Sequence, residues 1–127
     1  MVVFNTPGAN ANAVKELVVC GMLLSSRGIL QGSSFAMTLK GLDGSQLNKS
    51  MESEKKNFKG SELKGKTLGI VGLGAIGSLL AQTASIMGMK IIGFDPYISV
   101  DAAWRLPKEV EKADTLEALL SSSDYIS

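Results

Sequence analysis

The sequence contains no histidine, one cysteine, one tryptophan, three prolines and only two arginines, Arg27 and Arg105. Proton transfer near neutral pH most often uses histidine, so a complete acid–base enzyme built from these residues would have to rely on Lys, Asp, Glu, Tyr or Cys. A lone cysteine excludes an internal disulfide and fits a reducing compartment, for which the cytoplasm is the default expectation. Cys20 sits in an apolar run with no histidine to activate it, and is expected to be a buried, inert thiol. The longest apolar stretch, Leu17 to Leu24, falls far short of the roughly 20 residues that span a bilayer, and Ser25, Ser26 and Arg27 close it. The opening residues do not read as a signal peptide. Neither sign of charge is in excess: thirteen basic residues face twelve acidic ones, and no stretch is strongly basic. Nucleic acid and membrane surfaces are therefore not expected partners. No metal-ligand pattern is expected either.

What is present, 127 residues that are 45% hydrophobic and 20% charged, has the composition of a soluble globular chain. Val2 to Phe4 are β-branched or aromatic and are expected to be the tail of a strand, ended by Pro7 and Gly8. From about Asn10 the spacing predicts a long helix. Val14, Leu17, Val18, Gly21, Met22 and Ser25 recur at three- and four-residue steps, and Val19, Leu23 and Leu24 make the adjoining faces apolar, so burial on most sides is expected. Gly28 is the expected stop. Residues 31 to about 60 are polar and weakly periodic and read as an excursion or arm, in which Glu52 and Glu54 interleave with Lys55, Lys56 and Lys59.

From Lys66 the order is strand, turn, helix, strand. "TLGIVG" reads as a short strand; Ile76, Leu79, Leu80, Thr83, Ala84 and Met87 mark a helical face that Gly88 ends; "KIIGFD" is the next strand. Asp114 as N-cap with Glu117 three residues on suggests a capping box before Leu119 and Leu120, and "DYIS" begins a third strand. Met22, Met87 and Met89 are expected in the core.

"GIVGLGAIG" holds a G-x-G-x-x-G pattern directly after a strand and at the start of a helix. Alone, such a pattern is weak. In this context each glycine has a physical role. Gly72 permits the tight turn, Gly74 lets the backbone approach a pyrophosphate, and Gly77 lets helix and strand pack closely. The free N–H groups near Ala75 and Ile76 would face the pyrophosphate at the positive end of the helix dipole. Asp95 ends the second strand, about 20 residues on, where an acidic group accepts hydrogen bonds from the adenosine ribose. The expected cofactor is NAD, because that carboxylate would repel a 2′-phosphate and "DPYISV" offers no basic neighbour. Asn5, at a strand end, is a ligand contact or a turn former.

"FNTPGANANAVKELV", "FKGSELKGKTLGIVGLGAIG", "GFDPYIS" and "SSSDYIS" together resemble the D-isomer-specific 2-hydroxyacid dehydrogenases over almost the whole chain. The resemblance is closest to members that oxidise D-3-phosphoglycerate to 3-phosphohydroxypyruvate with NAD in serine synthesis. It implies an α/β fold, a Rossmann-type doubly wound parallel sheet present in part and preceded by a long buried interdomain helix. Residues 1–60 would be the end of a crossover strand, that helix and a polar arm used in dimerisation. Residues 61–127 would be the first half of the NAD domain. The cofactor-binding residues implied are Gly72, Gly74, Ala75, Ile76, Gly77 and Asp95.

In this family the catalytic arginine, glutamate and histidine follow the strand that begins at "DYIS", and neither Arg27 nor Arg105 matches the arginine motif. No catalytic residue is therefore assigned. The chain is expected to be a fragment, inactive alone, of an enzyme acting on a small phosphorylated hydroxyacid as a homodimer or higher oligomer. Many relatives carry Arg or Lys where this sequence has Ala75, which would leave the pyrophosphate to backbone groups. Two further readings stay open: another family member such as a hydroxypyruvate or glyoxylate reductase, and a non-catalytic NAD-sensing protein like the dehydrogenase-related corepressors.

Overall fold

The apolar run after Lys66 forms β1 (Thr67–Val71), around which the computed structural model, describing residues 1–127, is organised. Its helices and strands in chain order are α1 (Ala11–Ser26), α2 (Ile29–Thr38), α3 (Gly44–Glu54), β1, α4 (Ala75–Ile86), β2 (Lys90–Phe94), α5 (Val100–Ala103), β3 (Val110–Lys112), α6 (Leu116–Ser122) and β4 (Tyr125–Ile126). All strand pairs are parallel, in the order β3-β2-β1-β4. Leu68 pairs in register with Ile91 and with Tyr125. Parallel neighbours require crossover connections, and the chain steps outward from β1 to β3 before returning past β1 to β4.

That reversal places helices on both faces of the sheet. Leu68 and Ile70 share one face of β1 and Gly69 the other, by the two-residue period of a strand. On the first face a β-carbon at Gly77 of α4 would lie 3.2 Å from Ile70 Cγ2; on the second, one at Gly69 would lie 2.6 Å from Leu119 Cδ2 of α6. Leu68, Ile70, Leu80, Ile91 and Leu119 are fully buried, with Ala81 and Ala84 between α4 and the sheet. Asp124 ties the start of β4 to β1, its Oδ2 accepting from the Thr67 N–H at 2.8 Å while its own N–H donates to Thr67 O at 2.9 Å. No helix is long and apolar enough to cross a membrane.

The chain divides into two packed units, residues 1–20 with 63–127, and residues 21–62. Within the second, Phe58 is the organising side chain. Its ring lies 5.4 Å from that of Phe35, and its carbonyl accepts from the Gly28 N–H at 3.2 Å. Arg27 Nε donates to Lys59 O at 2.8 Å, and Ser61 N to Ser26 O at 2.9 Å.

Several expectations are corrected. Val2 to Phe4 form no strand and are exposed, because no strand edge of the chain lies alongside to pair with them. α1 is long, but only Ala11, Met22 and Ser26 along it are buried; Leu17 is 70% exposed and Cys20 is also exposed, since these residues find no cover within the chain. Met22 and Met89 are buried but Met87 is only half-buried. For residues 31–60, read as an arm, what the sequence did not show is helix. They fold into α2, α3 and a 3₁₀ turn (Lys55–Phe58), which periodicity could not reveal because none of their residues is buried. The buried stripe of α4 is Gly77, Leu80, Ala81 and Ala84, with Ile76 exposed: Leu80 and Ala84 face the sheet as expected, and the small Gly77 and Ala81 take the remaining places. The cap of α6 is Thr115, whose Oγ1 accepts from the Ala118 N–H at 3.1 Å, and not Asp114. "DYIS" supplies the fourth strand, because "VEK" had already formed β3.

Candidate functional site

In an open α/β sheet the crevice lies outside the carboxyl ends of the strands where the strand order reverses. Here that point is between β1 and β4. A cleft of about 380 Å³ occupies it, lined by Ile70 and Val71 at the end of β1, by Ser127 beyond β4, and by Gly72, Gly74, Ala75, Ile76 and Gly77. Gly8 and Asn10 form its remaining wall.

The glycines of the loop differ in what they do locally. Gly72 has φ of 92°, a left-handed conformation that turns the chain from β1 towards α4. A β-carbon at Gly77 would meet Gly72 O at only 2.0 Å, so the first turn of α4 can lie against the strand end only with glycine there. Gly74 is the N-cap of α4, and a β-carbon on it would meet nothing within 4 Å. The fold leaves that space open. No side chain caps α4, so the N–H groups of its first turn, which have no acceptor inside the helix, are free for a ligand in the cleft. No acidic side chain lines the cleft, and the helix dipole adds partial positive charge. This combination suits an anion.

Asp95 stands next to the loop and not in the cleft itself. Its Oδ2 accepts from the Leu73 N–H at 2.8 Å and its Oδ1 from the Tyr97 N–H at 2.9 Å. The carboxylate is thus oriented by two backbone donors, one from the glycine loop. It also lines a second, largely apolar cavity of about 150 Å³, walled by Leu73, Ile98, Ala103, Leu106 and Val110 and also by Glu111 and Lys112, for which the bare Gly93 leaves room. The five loop residues expected from the sequence therefore share one cleft, and Asp95 opens on the adjoining apolar one.

Sequence reasoning missed Gly8 and Ser127, whereas Asn10 lies at the helix start that the family resemblance implies is near the interdomain cleft. Gly8 adopts φ of 85° in the turn at Pro7–Asn10, and a β-carbon on it would sit 3.4 Å from Ala75 Cβ. The small side chain at position 75 thus faces an N-terminal turn that only three-dimensional packing could place there. Asn5, a candidate ligand contact by its position in the sequence, is exposed and does not line the cleft. The walls of the second cavity were hidden because Ile98, Ala103 and Leu106 lie in a stretch of mixed polarity without strong periodicity.

A parallel sheet with helices on both faces, whose reversal point meets a glycine turn and an uncapped helix start, defines a Rossmann-type dinucleotide-binding domain. The chain belongs to the D-isomer specific 2-hydroxyacid dehydrogenase family, whose NAD binding domain matches residues 32–127. Its cofactor is accordingly NAD. Among curated relatives it is similar to D-3-phosphoglycerate dehydrogenase of Methanocaldococcus jannaschii, at 37% identity over 99% of this chain and 21% of the relative. It is also similar to hydroxypyruvate reductase of Thermotoga maritima, at 42% identity over 98% of this chain and 35% of the relative. The chain thus spans about a fifth to a third of the length of these relatives. Among solved structures, D-mandelate dehydrogenase of Rhodotorula graminis superimposes with a TM-score of 0.72 at 28% identity, covering 94% of this chain and 33% of that one. D-lactate dehydrogenase with NAD+ from Lactobacillus jensenii shares the fold, with a TM-score of 0.69 at 24% identity over 99% of this chain and 33% of that one.

Proposed function

We propose that this chain supplies the adenosine and pyrophosphate half of the NAD site in an enzyme that oxidises D-3-phosphoglycerate to 3-phosphohydroxypyruvate. The observation that carries the cofactor half is the uncapped start of α4 behind the open Gly74, at the reversal point of the sheet. The substrate half rests on the similarity to relatives named D-3-phosphoglycerate dehydrogenase from both archaea and mammals.

When bound, NAD would supply a hydride acceptor for the carbon that bears the substrate hydroxyl. The residues of this chain act at a distance from that carbon. The N–H groups of Ala75, Ile76 and Gly77 hold the pyrophosphate, Gly72 sets the turn, and Gly74 keeps the approach clear. Asp95, oriented by Leu73 and Tyr97, uses its remaining lone pairs to accept from the adenosine ribose hydroxyls and rejects a 2′-phosphate by charge repulsion. The largely apolar cavity beside it would take the adenine ring. The cleft lining holds no ionisable side chain, so the groups that clamp the carboxylate and take the hydroxyl proton must come from outside these residues. We assign residues 1–60 to the interdomain and dimerisation region of a homodimer or higher oligomer, and residues 61–127 to the first half of the NAD domain. Reduction of hydroxypyruvate is the second reading, supported by the 42% identity to the Thermotoga enzyme.

Fluorescence titration of this chain with NADH tests the cofactor assignment: saturable binding that NADP+ competes for only weakly is expected, and no binding would refute it. In the enzyme that carries this region, kcat/KM for D-3-phosphoglycerate should exceed that for D-glycerate. The reverse order would favour the second reading.

A further inference from the structure

The outer wall of the apolar cavity beside Asp95 is the segment from Ile98 to Leu106, which includes the single turn α5. This segment has few hydrogen bonds to the rest of the chain. Its own hydrogen bonds are local: Ala102 N–H to Ser99 Oγ, Ala103 to Ser99 O, Trp104 to Val100 O, Arg105 to Ala102 O and Leu106 to Ala103 O. Val100 and Trp104 are exposed, at 72% and 83%, and add no packing, which leaves Ile98 and Leu106, both half-buried, as its large apolar contacts with the cavity. One hydrogen bond joins residues 98–106 to another element. Gln82, on the exposed side of α4, donates from Nε2 to the Arg105 carbonyl at 3.1 Å.

We propose that Gln82 is a positioning residue for the adenosine part of the site. By holding Arg105 it keeps Ala103 and Leu106 over the cavity, so a ring entering between them and Leu73 meets a preformed slot and not a loop that must be ordered at the moment of binding. Gln82 touches neither cavity, and its effect passes through the backbone of the segment. The inference rests on the cofactor reading given above. Trp104, the sole tryptophan, adjoins the tethered residue and reports on the segment directly.

The test is Gln82→Met, which keeps charge, length and helix propensity but has no donor, compared with Gln82→Arg, which keeps a donor within reach. Loss of one such hydrogen bond corresponds to about a fivefold change in an equilibrium constant. In Gln82→Met, NADH and ADP-ribose affinity should each fall by up to about fivefold, Trp104 fluorescence anisotropy should drop, and the melting temperature should fall by no more than the few degrees one hydrogen bond accounts for. Gln82→Arg should restore both affinity and anisotropy. Unchanged affinity in Gln82→Met, or a melting temperature lowered well beyond those few degrees, would overturn the proposal. The two readings fail differently: if the unaltered protein does not bind NADH, the cofactor reading itself is lost, whereas normal binding that Gln82→Met leaves intact removes only the role of Gln82.

Discussion

Gly74 and Gly77 lie three residues apart in one motif, yet the structure gives them opposite sensitivities. A β-carbon at Gly74 meets no atom within 4 Å, and its φ of −72° suits any L-residue, so Gly74→Val should fold. The new methyl groups would stand in the cleft, where a pyrophosphate must approach the N–H groups of α4. Hydrogen bonds to a charged group contribute about 1.5 to 3 kcal/mol each, so losing two weakens binding by about 3 kcal/mol or more, which is about a hundredfold or more in Kd. At Gly77 the added carbon would lie 2.0 Å from Gly72 O, a backbone atom that cannot swing aside. Gly77→Ala must therefore push α4 from the strand end, at a cost of about 1 to 3 kcal/mol and several degrees of melting temperature. NADH titration alongside a circular-dichroism melt separates the two. Gly74→Val should lose binding with its melting temperature intact, and Gly77→Ala should lose stability. A folded Gly74→Val variant that binds NADH normally would refute the reasoning.

Further outcomes follow from the same geometry. Asp95→Ala removes an acceptor from both Leu73 and Tyr97 and the charge that opposes a 2′-phosphate, so it should weaken NADH binding and narrow the NADH-to-NADPH affinity ratio; a wild-type protein favouring NADPH would contradict the role of Asp95. Gly69→Ala would drive a β-carbon to within 2.6 Å of Leu119 and should destabilise by about 1 to 3 kcal/mol in urea titration without altering the cleft; no change would show that α6 sits loosely on the sheet. The purified 127-residue chain should not turn over D-3-phosphoglycerate with NAD, because it has no histidine and its cleft lining has no ionisable side chain; turnover measured with no other protein in the sample would require an active site elsewhere.

The part of the fold that was legible in the sequence is the part whose signals are local. β1, the turn at Gly72, the end of α4 near Gly88 and the placement of Asp95 after β2 each depend on a few adjacent residues, and Gly88 indeed takes φ of 77° just past α4. Elements that exist through pairing or packing were not legible. β3 is a three-residue strand reading "VEK", made a strand by its ladder with Ile91 to Gly93. Val2 to Phe4 have strand-forming side chains and no partner. α2 and α3 bury nothing, so hydrophobic periodicity was silent although Asp43 caps α3 by accepting from the Gln46 N–H at 2.9 Å. At the site, the glycine spacing named the loop, whereas the approach of Gly8 to Ala75 and the tether from Gln82 join residues far apart in the sequence.

A crystal structure of this protein with NADH bound would decide most sharply whether the uncapped start of α4 is the pyrophosphate site. The pyrophosphate oxygens are expected within hydrogen-bonding distance of the N–H groups at the start of α4, with a ribose hydroxyl on Asp95 and the adenine between Leu73 and Leu106. A cofactor seated elsewhere, or a pyrophosphate that does not touch the residues from Gly74 to Gly77, would contradict that assignment.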